Sequence, residues 1–125
     1  MSRPAIALQV YVLDTPDPSG LASFYAVLLG WDIDDAATDD DWVQLRAPAG
    51  GGLAFQLAPE FTPSTWPDDR VGLQAHLDLE VDDLDAAEEW VLRHGATRVV
   101  GPNPSPTFRT YRDPSGHLFC LVRSA

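Results

Sequence analysis

The chain has 125 residues, enough for one domain or for two small halves sharing a core. Apolar residues make up 45% of it, sufficient for a packed interior rather than a disordered tail. Nineteen acidic against eight basic residues leave a formal charge of −11, which argues against nucleic acid and anionic membrane as partners, since both reward clustered Lys and Arg. No run is long and apolar enough to span a bilayer, and the N-terminus lacks the apolar core of a secretory signal. The lone Cys120 cannot close an intramolecular disulfide, so the expected compartment is the cytoplasm.

Residues 5–13 read as a first strand rich in Ile, Leu and Val. A turn follows at residues 14–20, with Pro18 where a first helical turn accepts proline. Leu21, Phe24, Tyr25 and Leu28 then mark one face of a helix that Gly30 stops. Short strands are expected over Trp31–Ala36 and Trp42–Arg46, around the acidic turn Thr38–Asp41. Gly50–Gly52 lacks the lysine and strand-to-helix setting of a phosphate loop, so it reads as a bare turn before a strand at Leu53–Leu57. Residues 59–73, with Pro59, Pro63 and Trp66–Pro67, are too proline-rich for a helix or a central strand and form a connector.

The stretch His76–Gly95 is the most legible. His76, Asp78 and Glu80 alternate with Leu77, Leu79 and Val81, as in a strand with two unlike faces. Asp82 or Asp83 can cap the helix that follows, along which Leu84, Ala87 and Val91 line one side and Gly95 ends it. Strands are expected at residues 97–100, Phe108–Arg112 and His117–Val122, with a proline-broken loop after the first of them. The element order therefore repeats. Asp17–Gly30 aligns with Asp82–Gly95, and Phe55–Leu57 with Phe119–Leu121, one residue out of step as a loop insertion would leave it.

Two tandem βαβββ modules carrying these motifs resemble the vicinal oxygen chelate superfamily, the glyoxalase/bleomycin-resistance fold. The resemblance rests on Asp17-Pro18 through Phe24-Tyr25 to Leu28-Leu29-Gly30-Trp31, on His76 through Asp82-Asp83-Leu84, and on Asp113-Pro114-Ser115-Gly116-His117-Leu118-Phe119. It implies an α+β fold with module 1 at about 5–58, the connector at 59–73 and module 2 at about 74–125. The modules would form a curled mixed sheet around a central cavity, and family members often pair modules between chains, so a homodimer is an expectation too.

Metal enzymes of this superfamily place ligands on the first and last strands of each module. The resemblance carries those positions onto His76 and Cys120 in module 2 and Gln56 in module 1, with Tyr11 or Val10 on the first strand and Gln9 near Tyr11. Gln56 and Cys120 stand where the family's enzymes typically have glutamate, so the set lacks the anionic oxygens a hard divalent ion prefers. The reading is therefore a small-molecule-binding protein independent of metal, its pocket lined by Tyr11, Gln56, Trp66, His76 and Phe108. The alternative is a lyase or dioxygenase-type enzyme acting on vicinal oxygens, with a divalent ion at His76, Gln56 and Cys120. Arg109 could face an anionic ligand, but an ion pair with one of the many acids is the simpler account.

Overall fold

The computed structural model describes residues 2–124, and the chain divides into two compact units, Met1–Ala58 and Pro59–Ala125. The first unit runs β1 (Tyr11–Thr15), α1 (Pro18–Leu29), β2 (Asp32–Ile33), β3 (Trp42–Arg46) and β4 (Leu53–Leu57). The second runs β5 (Leu77–Val81), α2 (Leu84–Arg93), β6 (Thr97–Val99), β7 (Phe108–Arg112) and β8 (Leu118–Arg123). Each is βαβββ, and each forms a four-stranded mixed sheet of the same order, β1-β4-β3-β2 and β5-β8-β7-β6. The first strand lies parallel to the last, and the remaining pairs are antiparallel. The fold class is thus α+β with a repeated module.

Both helices begin on an aspartate. Asp17 accepts from the Gly20 N–H at 3.1 Å, and Asp83 from those of Asp85 and Ala86, so carboxylates satisfy donors that the first turn leaves open. Gly30 takes the left-handed conformation that ends α1. In the first unit α1 turns Leu21, Phe24 and Tyr25 onto the sheet, and the buried Tyr25 ring stacks on Phe55 of β4 at 5.7 Å. The second unit repeats the arrangement with a different donor of the tyrosine: Tyr111 of β7 stacks on Phe119 of β8 at 5.5 Å.

Several boundaries differ from the sequence reading, three of them for a reason the contacts make plain. The first strand starts at Tyr11 rather than at residue 5, because its neighbour β4 begins only at Leu53, after the glycine turn. The preceding apolar residues have no ladder to join, and Ile6 and Leu8 stay 76% and 75% exposed. The strand expected over Trp31–Ala36 is cut to Asp32–Ile33, since the Asp34 carbonyl accepts from the Ala37 N–H and the Thr38 hydroxyl and turns the chain into a short 3₁₀ segment. His117, expected to open the last strand, lies just ahead of it and stacks on Phe61 at 4.4 Å.

Residues 59–73 are folded onto the second unit, not strung out as a spacer. The Thr65 N–H donates to the Val71 carbonyl, and the Val71 N–H returns to the Thr65 hydroxyl, closing a loop on itself. Asp68 accepts from Thr65 and Arg70, which together hold its carboxyl well below the usual carboxylate range. The Arg112 guanidinium of β7 then donates to the carbonyls of Ser64 at 2.6 Å and Trp66 at 2.7 Å.

Candidate functional site

The alternation of β5, β7 and β8 gives the second sheet two different faces. One face meets α2: Arg109 pairs with Asp85 and Glu88, and the Tyr111 hydroxyl donates to Glu88 at 3.0 Å. Tyr111 is fully buried, and burial followed by the Glu88 carboxylate pushes its pKa up to about 12. The folded state therefore holds this proton more tightly than the unfolded chain, whose tyrosines ionise near pH 10. The stability this contributes is complete below about pH 10 and is lost as pH rises through 12. An ultraviolet titration should show phenol ionising late and together with unfolding, and Tyr111→Phe should lower the late-ionising amplitude by one phenol. An unchanged late amplitude in Tyr111→Phe would contradict the assignment.

The opposite face carries the chemistry. Asp78, Cys120 and Thr110 are register partners across β5, β8 and β7 and so point the same way. Cys120 Sγ lies 3.3 Å from Thr110 Oγ1, and His76 Nε2 lies 3.2 Å from Asp78 Oδ1. Burial raises the Cys120 pKa; the Thr110 hydrogen bond opposes this and the Asp78 charge adds to it. The nitrogen of His76, an oxygen of Asp78 and the sulfur of Cys120 all fall within 4.8 Å of one another.

Thr110 also borders a cleft of about 340 Å³ within the same unit, at the small end of the range for ligand pockets. Trp66, Val99, Val100 and Phe108 supply its apolar walls, and the loop from Gly101 to Ser105 forms its rim. Val100 and Phe108 are 68% and 41% exposed there, so both offer apolar area to a ligand. Two arginines border it as well, but Arg98 pairs with Glu88 at 2.5 Å and Arg109 with Asp85 at 2.8 Å.

Of the five residues read from the sequence as a pocket, Trp66 and Phe108 line this cleft. His76 stands just before β5, on the sheet face shared with Cys120. Gln56 and Tyr11 belong to the first unit and lie on opposite faces of its sheet: Gln56 pairs with Asp14, and Tyr11, three residues earlier, pairs with Leu53. On the Gln56 face the residue two before Asp14 is Val12, so that sheet has no imidazole where the second has His76. Asp78 is not among the ligands expected from the sequence, which take one position on each first and last strand, and it stands two residues along from His76. The i, i+2 alternation His76-x-Asp78 was the signal that held it. Thr110 and Arg112 had no signal of their own, because both act through neighbours distant in sequence.

A family model for the glyoxalase-like domain matches residues 10–122. The chain belongs to the glyoxalase-like domain family. Solved structures of low sequence identity share the fold of this glyoxalase-like chain. A glyoxalase/bleomycin resistance protein/dioxygenase family enzyme from Burkholderia phytofirmans aligns at 17% identity over 96% of this chain and 100% of its own, with TM-score 0.75. The bleomycin-binding protein of Streptomyces verticillus, solved with copper(II)-bleomycin, aligns at 22% identity over 98% and 100%, TM-score 0.60. An antibiotic-binding protein from another Streptomyces aligns at 21% over 99% and 100%, TM-score 0.61. No curated protein matches this sequence.

The alternative drawn from the resemblance, an enzyme with a divalent ion, makes the donors of this glyoxalase-like domain worth weighing. Imidazole nitrogen, carboxylate oxygen and thiolate sulfur suit a borderline-soft ion such as Zn²⁺ and not Mg²⁺. The triad His76, Asp78 and Cys120 thus fits a soft cation better than His76, Gln56 and Cys120, the set named only in the metal-dependent alternative, since it supplies three ligating atoms from one sheet face.

Proposed function

We propose that this glyoxalase-like domain binds a small organic molecule in the cleft of its second unit, without needing a metal. The observation that carries the reading is the cleft itself: a concavity of about 340 Å³ with Trp66 and Phe108 presented to it. Two antibiotic-binding proteins of the same fold lend support to a binding role. None of the cleft's apolar walls is a metal ligand, so chelation should leave binding intact. Nile red, an uncharged dye that brightens in apolar surroundings, tests this. The expected result is a blue-shifted, brighter emission that persists in EDTA and is lost in Phe108→Asp, which sets a charge in a half-exposed wall. No change in emission, or emission untouched by Phe108→Asp, would sink the reading.

The close approach of His76, Asp78 and Cys120 favours a second reading, a cation-dependent enzyme of the superfamily's lyase or dioxygenase type. A cation held there would act as a Lewis acid toward adjacent oxygens on a ligand. Cobalt is the useful probe, because a thiolate ligand gives it an intense near-ultraviolet absorption. This second reading expects that band at one equivalent, lost in Cys120→Ser and weakened in His76→Gln and Asp78→Asn. A flat titration leaves the metal-independent reading alone.

A further inference from the structure

Three features of the cleft point to the chemical class of its ligand, an inference that rests on the binding role just proposed. The first is Gly101. A Cβ built on it would run into the benzo edge of Trp66, with Cζ2 at 2.9 Å and Cη2 closer still. Gly101 is not one of the glycines at positive φ, so the backbone there would accept any L residue and only the indole requires its absence. The second is the anchoring of Trp66. Its carbonyl accepts from Arg112 at 2.7 Å and its N–H donates to the Ser64 hydroxyl at 3.1 Å, so the main chain that carries the indole is tied at both polar atoms. A ring held this way loses little freedom when a ligand stacks on it. The third is charge. Arg98 is paired with Glu88 and Arg109 with Asp85 and Glu88, and the chain carries −11 overall.

We infer that the cleft takes a flat, uncharged aromatic ring system stacked against Trp66, and that Gly101 and Arg112 are positioning residues that set the indole as its fixed wall. An anion is turned away, because the two arginines at the cleft already serve carboxylates and the surrounding field is negative. An aliphatic ligand forgoes the offset-stacked contact that gives an aromatic one its advantage.

Three matched probes read this directly: 2-naphthol, its anionic relative naphthalene-2-sulfonate, and the saturated 2-decalol, each titrated by nuclear magnetic resonance with backbone shifts of residues 99–110 as the readout. The expected order is 2-naphthol ahead of either relative by about tenfold. Gly101→Ala and Trp66→Ala should each erase that preference, the first by crowding the indole and the second by removing it. Amide spectra of both variants matching the native pattern in β5–β8 exclude unfolding as the cause, and Trp66→Ala serves if Gly101→Ala disturbs them. Cleft shifts with all three probes alike, or a naphthol preference that survives both variants, would overturn the aromatic class while leaving the binding site standing. No shift at residues 99–110 with any probe would overturn both.

Discussion

Arg112→Ala is expected to lower stability by about 2–3 kcal/mol, because two short bonds from a charged donor are lost and the carbonyls of Ser64 and Trp66 lose their partner. In a chain of this size that is a fall in Tm on the order of 10 °C. The same change should loosen Trp66 and weaken probe binding in the cleft, while the α2 side of the sheet keeps its Tyr111–Glu88 and Arg109–Asp85 contacts. Arg112→Lys should recover only part of the loss, since an ammonium group cannot span separate carbonyls as a planar guanidinium does. The side chain also reaches the Gly116 carbonyl at 3.3 Å, so it ties the connector to the turn before β8 as well. A melt unchanged by Arg112→Ala would show that the connector is held by its own internal bonds alone.

Phe119→Ala should cost more, about 3–5 kcal/mol, the range for removing a buried phenyl ring. Phe119 is fully buried on β8 and stacks on Tyr111, so the cavity would open at the centre of the second sheet. Against the 5–15 kcal/mol typical of a small protein, that loss brings the second unit near the point of unfolding. Hydrogen exchange locates the damage: amides of β5, β7 and β8 should lose protection, whereas those of β3 and β4 should keep it. Uniform loss across both sheets would instead mean that the two units unfold as one. Phe55→Ala makes the mirror-image test through its stack on Tyr25.

Much of the architecture was legible in the chain, for physical reasons that are easy to name. Trp42–Arg46, Leu53–Leu57 and Phe108–Arg112 alternate or run apolar between strong turn signals, and their strands fall on those residues. Asp17-Pro18 and Asp83 mark helix starts because carboxylates and proline each suit the first turn. Residues 5–10 show the limit of such signals: their composition favours a strand, yet strand formation needs a partner, and β4 begins only opposite Tyr11. The site was harder to read. Trp66 is marked by the proline-stiffened connector that carries it and Phe108 is one aromatic among several, but neither residue announces the cleft. That cleft depends on Arg112 reaching back more than forty residues to Ser64 and Trp66, and on a glycine whose missing side chain matters only beside an indole. Long-range polar contacts of this sort leave no local pattern.

The fold itself does not decide between a binding protein and an enzyme, since the same scaffold hosts both kinds of site. The most direct test follows the four tryptophan indole N–H signals of ¹⁵N-labelled protein during titration with 2-naphthol, Trp66 being assigned through Trp66→Phe. Binding in the second unit's cleft should move the Trp66 signal and the amides of Val99 to Thr110, and leave Trp31 and Trp42 of the first unit in place. Movement of Trp31 and Trp42 with Trp66 unmoved would place the ligand elsewhere and contradict the account.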